Sequence, residues 1–140
     1  MDELPQWDDG TVAILSTGGG PPHAIPVSTA VRAGARTIVL ALALRRESLA
    51  RLRTEPRVAL SLFGPDLACT AHATATIAEE PLAESGVVAA VRLDVHGIQD
   101  HRQPRFAIEE GVRWHWTDAE AHERDGEVRA ALRRVAGTAS

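Results

Sequence analysis

The clearest periodicity in the chain repeats every two residues. Within residues 68–78, Cys69, Ala71, Ala73, Ala75 and Ile77 occupy one parity, and Thr70, His72, Thr74 and Thr76 the other. Within residues 87–98, Val87, Ala89, Val91, Leu93 and Val95 share one parity, and Arg92, Asp94 and His96 the other. Such alternation predicts half-buried strands. Residues 11–17 predict another strand, closed by the turn Gly18-Gly19-Gly20-Pro21-Pro22, and residues 23–31 its return. Pro26 cannot donate to a ladder, which confines that strand to an edge or a bulge. After a turn at residues 32–36, residues 37–44 are apolar on both parities, the pattern of a strand covered on both faces. Its bulky positions are Ile38, Leu40, Leu42 and Leu44; Thr37, Ala41 and Ala43 leave room for something to lie close to the backbone.

Residues 46–54 predict a short helix with Leu49 and Leu52 inward and Pro56 marking its end. Residues 57–63 predict a strand ended by Gly64-Pro65-Asp66. Residues 111–118 predict a seventh, with Val112, Trp114 and Trp116 on one face. Residues 119–136, rich in Ala, Glu and Arg, predict a mainly exposed helix capped by Asp118. Short strands with one inserted helix imply a mainly β fold, a small and mostly antiparallel barrel. The expected organisation is a flexible segment at residues 1–9, one barrel domain at 10–118, and a C-terminal helix and tail at 119–140.

Composition narrows the function. A net charge of −4 argues against a general nucleic-acid binder, which would present a basic face. The longest apolar run, residues 38–44, is far short of the roughly 20 residues of a membrane span. The acidic N-terminus lacks the basic start of a secretory signal, so a cytoplasmic protein is expected. All 15 basic residues are arginine. The absence of lysine excludes a lysine Schiff base and the lysine of a P-loop. Tyrosine is absent too. The triple glycine is followed by prolines and a strand pattern rather than a helix, so it reads as a hairpin and not as a dinucleotide-binding turn.

Several side chains could carry chemistry. Cys69 and His72 fall on opposite faces of a predicted strand, and Cys69 sits among alanines, so it reads as a buried structural thiol. His96, Asp100 and His101, with His72, His115 and His122 through space, match none of the strong metal spacings, and no metal site is expected. Trp114 and Trp116 read either as core or interface packing or as flanks of a planar ligand. Residues 44–60 hold five arginines. Arg51, Arg53 and Arg57 read as a solvated helix face. Arg45, Arg46 and Ser48 sit where a strand passes into a helix, and unpaired N–H groups and the helix dipole favour an anion there. They form a candidate phosphate site without lysine.

The order of these motifs resembles the pyridoxamine 5′-phosphate oxidase-like FMN-binding split-barrel family. The resemblance rests on residues 11–17, on Pro22-His-Ala-Ile-Pro-Val-Ser, on Arg45-Arg-Glu-Ser-Leu-Ala-Arg-Leu after an apolar strand, and on Thr54-Glu-Pro-Arg-Val-Ala-Leu. It covers residues 10–118. It implies a homodimer with FMN, or a deazaflavin, at the interface. The phosphate would meet Arg45, Arg46 and Ser48; the ring would run near Val27, Ser28, Ala43 and Leu44; Trp114 or Trp116 of the other subunit would close the pocket. Ser48 stands where many members have lysine, and no motif for pyridoxine phosphate is present. The resemblance thus implies hydride or electron transfer to a small organic substrate. A non-catalytic carrier of flavin, deazaflavin or haem is the alternative, and a dimer without cofactor a third reading. No residue must act as a general acid or base; His23 and His115 are weak candidates.

Overall fold

The computed structural model describes residues 1–139. The elements run β1 (Ala13–Thr17), β2 (His23–Val27), β3 (Val31–Gly34), β4 (Thr37–Ala43), α1 (Glu47–Thr54), β5 (Arg57–Gly64), β6 (Leu67–Glu79), β7 (Val88–Asp100) and α2 (Ala119–Ala139). The strands form one sheet in the order β2-β1-β5-β6-β7-β4-β3, every neighbouring pair antiparallel.

That order forces the sheet to curl. Its two edge strands, β2 and β3, are consecutive in the chain. Across a flat seven-stranded sheet the edges would lie about 29 Å apart. Val27 and Val31 can be separated by at most about 14 Å of extended chain. The sheet therefore bends until its edges approach, and residues 28–30 bridge the split. Thr29 holds the bridge: its hydroxyl accepts from the Ala41 N–H (3.1 Å) and donates to the Ala41 carbonyl (3.5 Å). Pro26 sits on an edge strand, as its missing donor requires.

The interior fills with Leu15, Ile38, Leu40, Leu60, Leu62, Leu93 and their neighbours, each from the inward parity of its strand. Alanines at 71, 73 and 75 keep β6 slim enough for the bend. β4 is covered on both faces, as its pattern predicts: Ile38, Leu40 and Leu42 point into the barrel, while Val39 packs outward against α2.

Five expectations are corrected. Residues 23–31 are not one strand, because the chain must cross from one edge to the other at residues 28–30. Part of the predicted turn at 32–36 is β3, which pairs with β4 through Val31–Val39 and Arg32–Ile38. The N-terminal segment is docked rather than loose: Leu4 is buried, its N–H donates to the Ala35 carbonyl (2.8 Å), and Trp7 Nε1 donates to the Ala30 carbonyl (2.9 Å). The C-terminal helix is not mainly exposed along its second half. Ala131, Leu132, Val135 and Ala136 bury against Val39, Leu82 and Ala90, forming a second, outer core. Asp118 does cap it, accepting from the Glu120 N–H at 2.9 Å.

Residues 111–118 form no strand. The segment forms no hydrogen-bonded ladder with another strand, and a strand without a ladder partner has no reason to persist. The segment is instead pinned through Gly111, against the Phe63 carbonyl, and through Trp114 Nε1, which donates to the Gly10 carbonyl at 2.8 Å. Neither described helix is long and apolar enough to cross a membrane.

Candidate functional site

Where β3 stops pairing, β4 continues for several residues along that edge; there the Thr29 hydroxyl takes both the N–H and the carbonyl of Ala41, and the Ala43 carbonyl accepts from the Arg46 N–H at 3.0 Å. Across that edge lies the end of β2. Between them runs a groove of about 170 Å³ lined by Pro26, Val27, Ser28, Thr29, Ala43 and Arg46, among others. Small side chains on both walls leave the strand backbone accessible, and Arg46 supplies positive charge at one end.

Arg46 is also the residue that begins α1. Its backbone is extended (φ −68°, ψ 137°), and no side chain caps the helix. The Arg46 carbonyl accepts from Leu49 at 3.1 Å, closing the first turn. The uncapped helix start and an arginine thus come from the same residue, and both favour an anion.

The nine residues expected at a cofactor do not converge as a set. Val27, Ser28, Ala43 and Arg46 share the groove. Arg45 turns the other way and, with Ala43 and Leu44, lines a depression of about 400 Å³ against Gly86, Val87 and Val88. That depression is apolar and its walls are bare, Val87 being 69% exposed. Ser48 is in neither. Its side chain is 0% exposed under α1, and its Oγ has no hydrogen-bond partner. The expected Ser48–phosphate contact is therefore absent from the exposed surface, because position 48 falls on the inward stripe with Leu49 and Leu52.

Trp114 and Trp116 lie apart from the groove. They meet edge to face, centroids 5.4 Å apart, and wall a cleft of about 340 Å³ that also holds His115, His122, Asp125 and Arg129. Their rings remain 38% and 41% exposed.

Arg51, expected to be solvated, is structural. Its side chain is 14% exposed, and Nη1 donates to the Gly18 (3.0 Å) and Pro21 (2.6 Å) carbonyls. It ties the β1–β2 turn to α1, and Gly19, at φ +80°, gives the turn the left-handed backbone this approach needs. Glu47 bridges the same region, 3.1 Å from His23 Nδ1 and 3.4 Å from Arg51 Nε. Arg53 and Arg57 are exposed and pair with Glu80 and Glu55.

Three histidines are engaged in cross-strand bonds on the outer face of β6 and β7. His101 meets Thr70 (2.8 Å), His72 meets Gln99 (2.8 Å), and His96 meets Thr74 (2.5 Å). No cluster of His, Cys, Asp or Glu among the described residues has metal-binding geometry. Cys69 is buried on the opposite face from His72, and burial pushes its thiol pKa up, the reverse of what a nucleophile needs.

No family model matches the sequence, and no curated protein matches it. Solved structures do match. A protein provisionally assigned as a pyridoxamine 5′-phosphate oxidase from Lactobacillus delbrueckii aligns with 71% of this chain and 95% of its own, at TM-score 0.59 and 17% identity. An F420 reductase aligns with 69% of this chain and 98% of its own, at TM-score 0.56 and 12% identity. The fold is the pyridoxamine 5′-phosphate oxidase-like split barrel. A heme-binding protein from Mycobacterium smegmatis shares it over 64% of this chain and 48% of its own, at TM-score 0.53 and 17% identity.

Within this split barrel, the split itself is the groove: the gap between the ends of β2 and β4 is what the curling sheet leaves open. Thr29, which sequence reasoning passed over, sets its width by gripping Ala41. Thr29 lies inside the single strand predicted for residues 23–31, so no local signal marks it.

Proposed function

We propose that the chain is a flavin-binding oxidoreductase of the pyridoxamine 5′-phosphate oxidase-like type, holding FMN in the β2–β4 groove. The observation that carries this reading is the union of an open strand edge with Arg46 at an uncapped helix start. The Ser28 hydroxyl suits the polar edge of a flat ring system, and Val27 and Ala43 its faces. Arg46 holds the phosphate, and Arg45, facing the neighbouring depression, adds positive charge nearby. Ser48 takes no part in this arrangement.

The groove is smaller than the roughly 300–1,000 Å³ of typical small-molecule sites, so a second wall must complete it. A homodimer supplies that wall, with Trp114 or Trp116 of the second copy covering the ring. Bound FMN supplies the hydride or electron transfer, and the protein binds, orients and excludes water. The substrate is a small organic molecule.

The groove lining contains no carboxylate, histidine or thiol. That favours one second reading, a non-catalytic carrier of flavin, deazaflavin or haem. Turnover of NAD(P)H, or of a reduced deazaflavin, with an acceptor separates enzyme from carrier.

Absorbance titration tests the site. FMN should bind more tightly than riboflavin, and Arg45→Ala/Arg46→Ala should remove about 10- to 100-fold of that advantage, the value of one charge-assisted hydrogen bond. Equal binding of riboflavin and FMN by the unaltered protein sinks the phosphate assignment. Failure to take up FMN or a deazaflavin at all sinks the flavin reading.

A further inference from the structure

We propose that the cleft between the 110–116 segment and α2 is a second binding site, one that takes a small aromatic carboxylate. Its polar anchor is Arg129. That side chain is only 12% exposed, and its Nε donates to Asp125 Oδ2 at 2.7 Å across one turn of α2. Its Nη2 is buried and has no hydrogen-bond partner. Buried polar groups are nearly always paired, and a guanidinium presents its donors as a rigid planar fork. With Nε given to Asp125, Nη2 is left with no acceptor from the chain, a donor for a ligand entering the cleft.

The surroundings define that acceptor. Trp114 and Trp116 present fixed indole surfaces in the same cleft, Trp114 held by its hydrogen bond to Gly10. Edge-to-face indoles favour a flat ring that can pack against one and abut the other. His115 and His122 add ring nitrogens at the cleft wall. The two acids nearby are matched: Asp125 by Arg129, and Asp9 by Arg133. An unpaired guanidinium nitrogen beside exposed indoles fits a planar anion, whose carboxylate meets Arg129 while its ring rests on the tryptophans. A bare anion would leave the indoles wet, and a neutral ring would leave Nη2 unpaired. The cleft is built within one chain and shares Trp114 and Trp116 with the flavin cover proposed above, so it is tested on flavin-free protein.

The test uses the full chain in a Trp7→Phe background, so that emission reports only Trp114 and Trp116. Benzoate is compared with benzamide, which has the ring without the charge, and with acetate, which has the charge without the ring. Benzoate should quench saturably and at least about tenfold more tightly than either, the factor of one charge-assisted hydrogen bond. Arg129→Gln with Asp125→Asn, which leaves no unmatched carboxylate, should abolish that preference. Arg129→Lys, which keeps the charge but not the fork, should weaken benzoate about as much and covers the case of a double variant that fails to fold. Equal binding of benzoate and benzamide, benzoate binding unaltered in both variants, or no saturable quenching at all overturns the proposal. A parallel FMN absorbance titration without benzoate reads the groove, so failure of one site is not mistaken for failure of the other.

Discussion

The β2–β4 groove and the Trp114–Trp116 cleft are assembled by opposite means. The groove is made of regular structure that stops early: β3 ends, β4 runs on, and a strand edge is left open beside a helix start. The cleft is made of irregular chain that is pinned down, by Gly111 under Phe63 and by Trp114 on Gly10, against a helix belonging to a different core. A groove of the first kind follows from strand lengths and register, which short-range sequence patterns carry. A cleft of the second kind depends on contacts between residues more than a hundred positions apart, as between Trp114 and Gly10.

The two regions should therefore break separately. The largest effect is expected from Leu132→Ala, which empties a fully buried position in the outer core beneath the cleft's helix. A cost of about 2–5 kcal/mol is expected in urea denaturation, with far-UV circular dichroism and fluorescence changing together. If α2 instead frays alone at low urea, the outer core is not part of the same cooperative unit as the barrel.

Gly111→Ala is the sharper cut. A Cβ there would lie 2.6 Å from the Phe63 carbonyl oxygen, so the segment must shift. The expected loss is about 1–3 kcal/mol, with red-shifted tryptophan emission. FMN uptake per protomer at saturation should be unchanged in that variant if the groove stands on the barrel alone; lost uptake would tie the two regions together.

Ser48→Ala should do least. The Ser48 hydroxyl is buried without a partner, so removing it should leave stability within about 0.5 kcal/mol or raise it slightly. FMN affinity should not change. A drop in affinity would return Ser48 to the phosphate site and overturn its placement under α1.

How far the sequence could be read follows the same divide. The strands β4, β6 and β7 were legible because each shows its burial on its own residues, by alternation or by an apolar run. Pro26 announced an edge, and Asp118 a cap. β3 was hidden because Arg32-Ala-Gly-Ala-Arg has turn composition, and Gly34 belongs both to the strand's end and to the tight turn after it. The strand read at 111–118 was an error of the same logic. Val112, Trp114 and Trp116 alternate as a strand does, but alternation describes side chains, and a strand exists only where another backbone lies alongside. Within the candidate groove, Ala43 was found on the small face of a predicted strand and Arg46 at its passage into a helix, whereas Val27 and Ser28 came only from the family resemblance. Thr29 was missed because its role is a bond to a residue 12 positions away. Arg51 was misread because an arginine on a short helix looks solvated until the Gly-Pro turn is folded against it.

By itself, the sequence determined the strand and helix periods, the inward residues of the barrel, the edge position forced by Pro26 and the absence of lysine chemistry. These are local consequences of side-chain volume, branching and backbone capacity. Only the tertiary structure decided that Arg45 and Arg46 face different depressions, that Ser48 points inward, and that Trp114 and Trp116 stand outside the sheet and line one cleft with Arg129. Each of those outcomes depends on which distant backbone satisfies a donor or fills a gap, and that is settled by the whole chain packing at once.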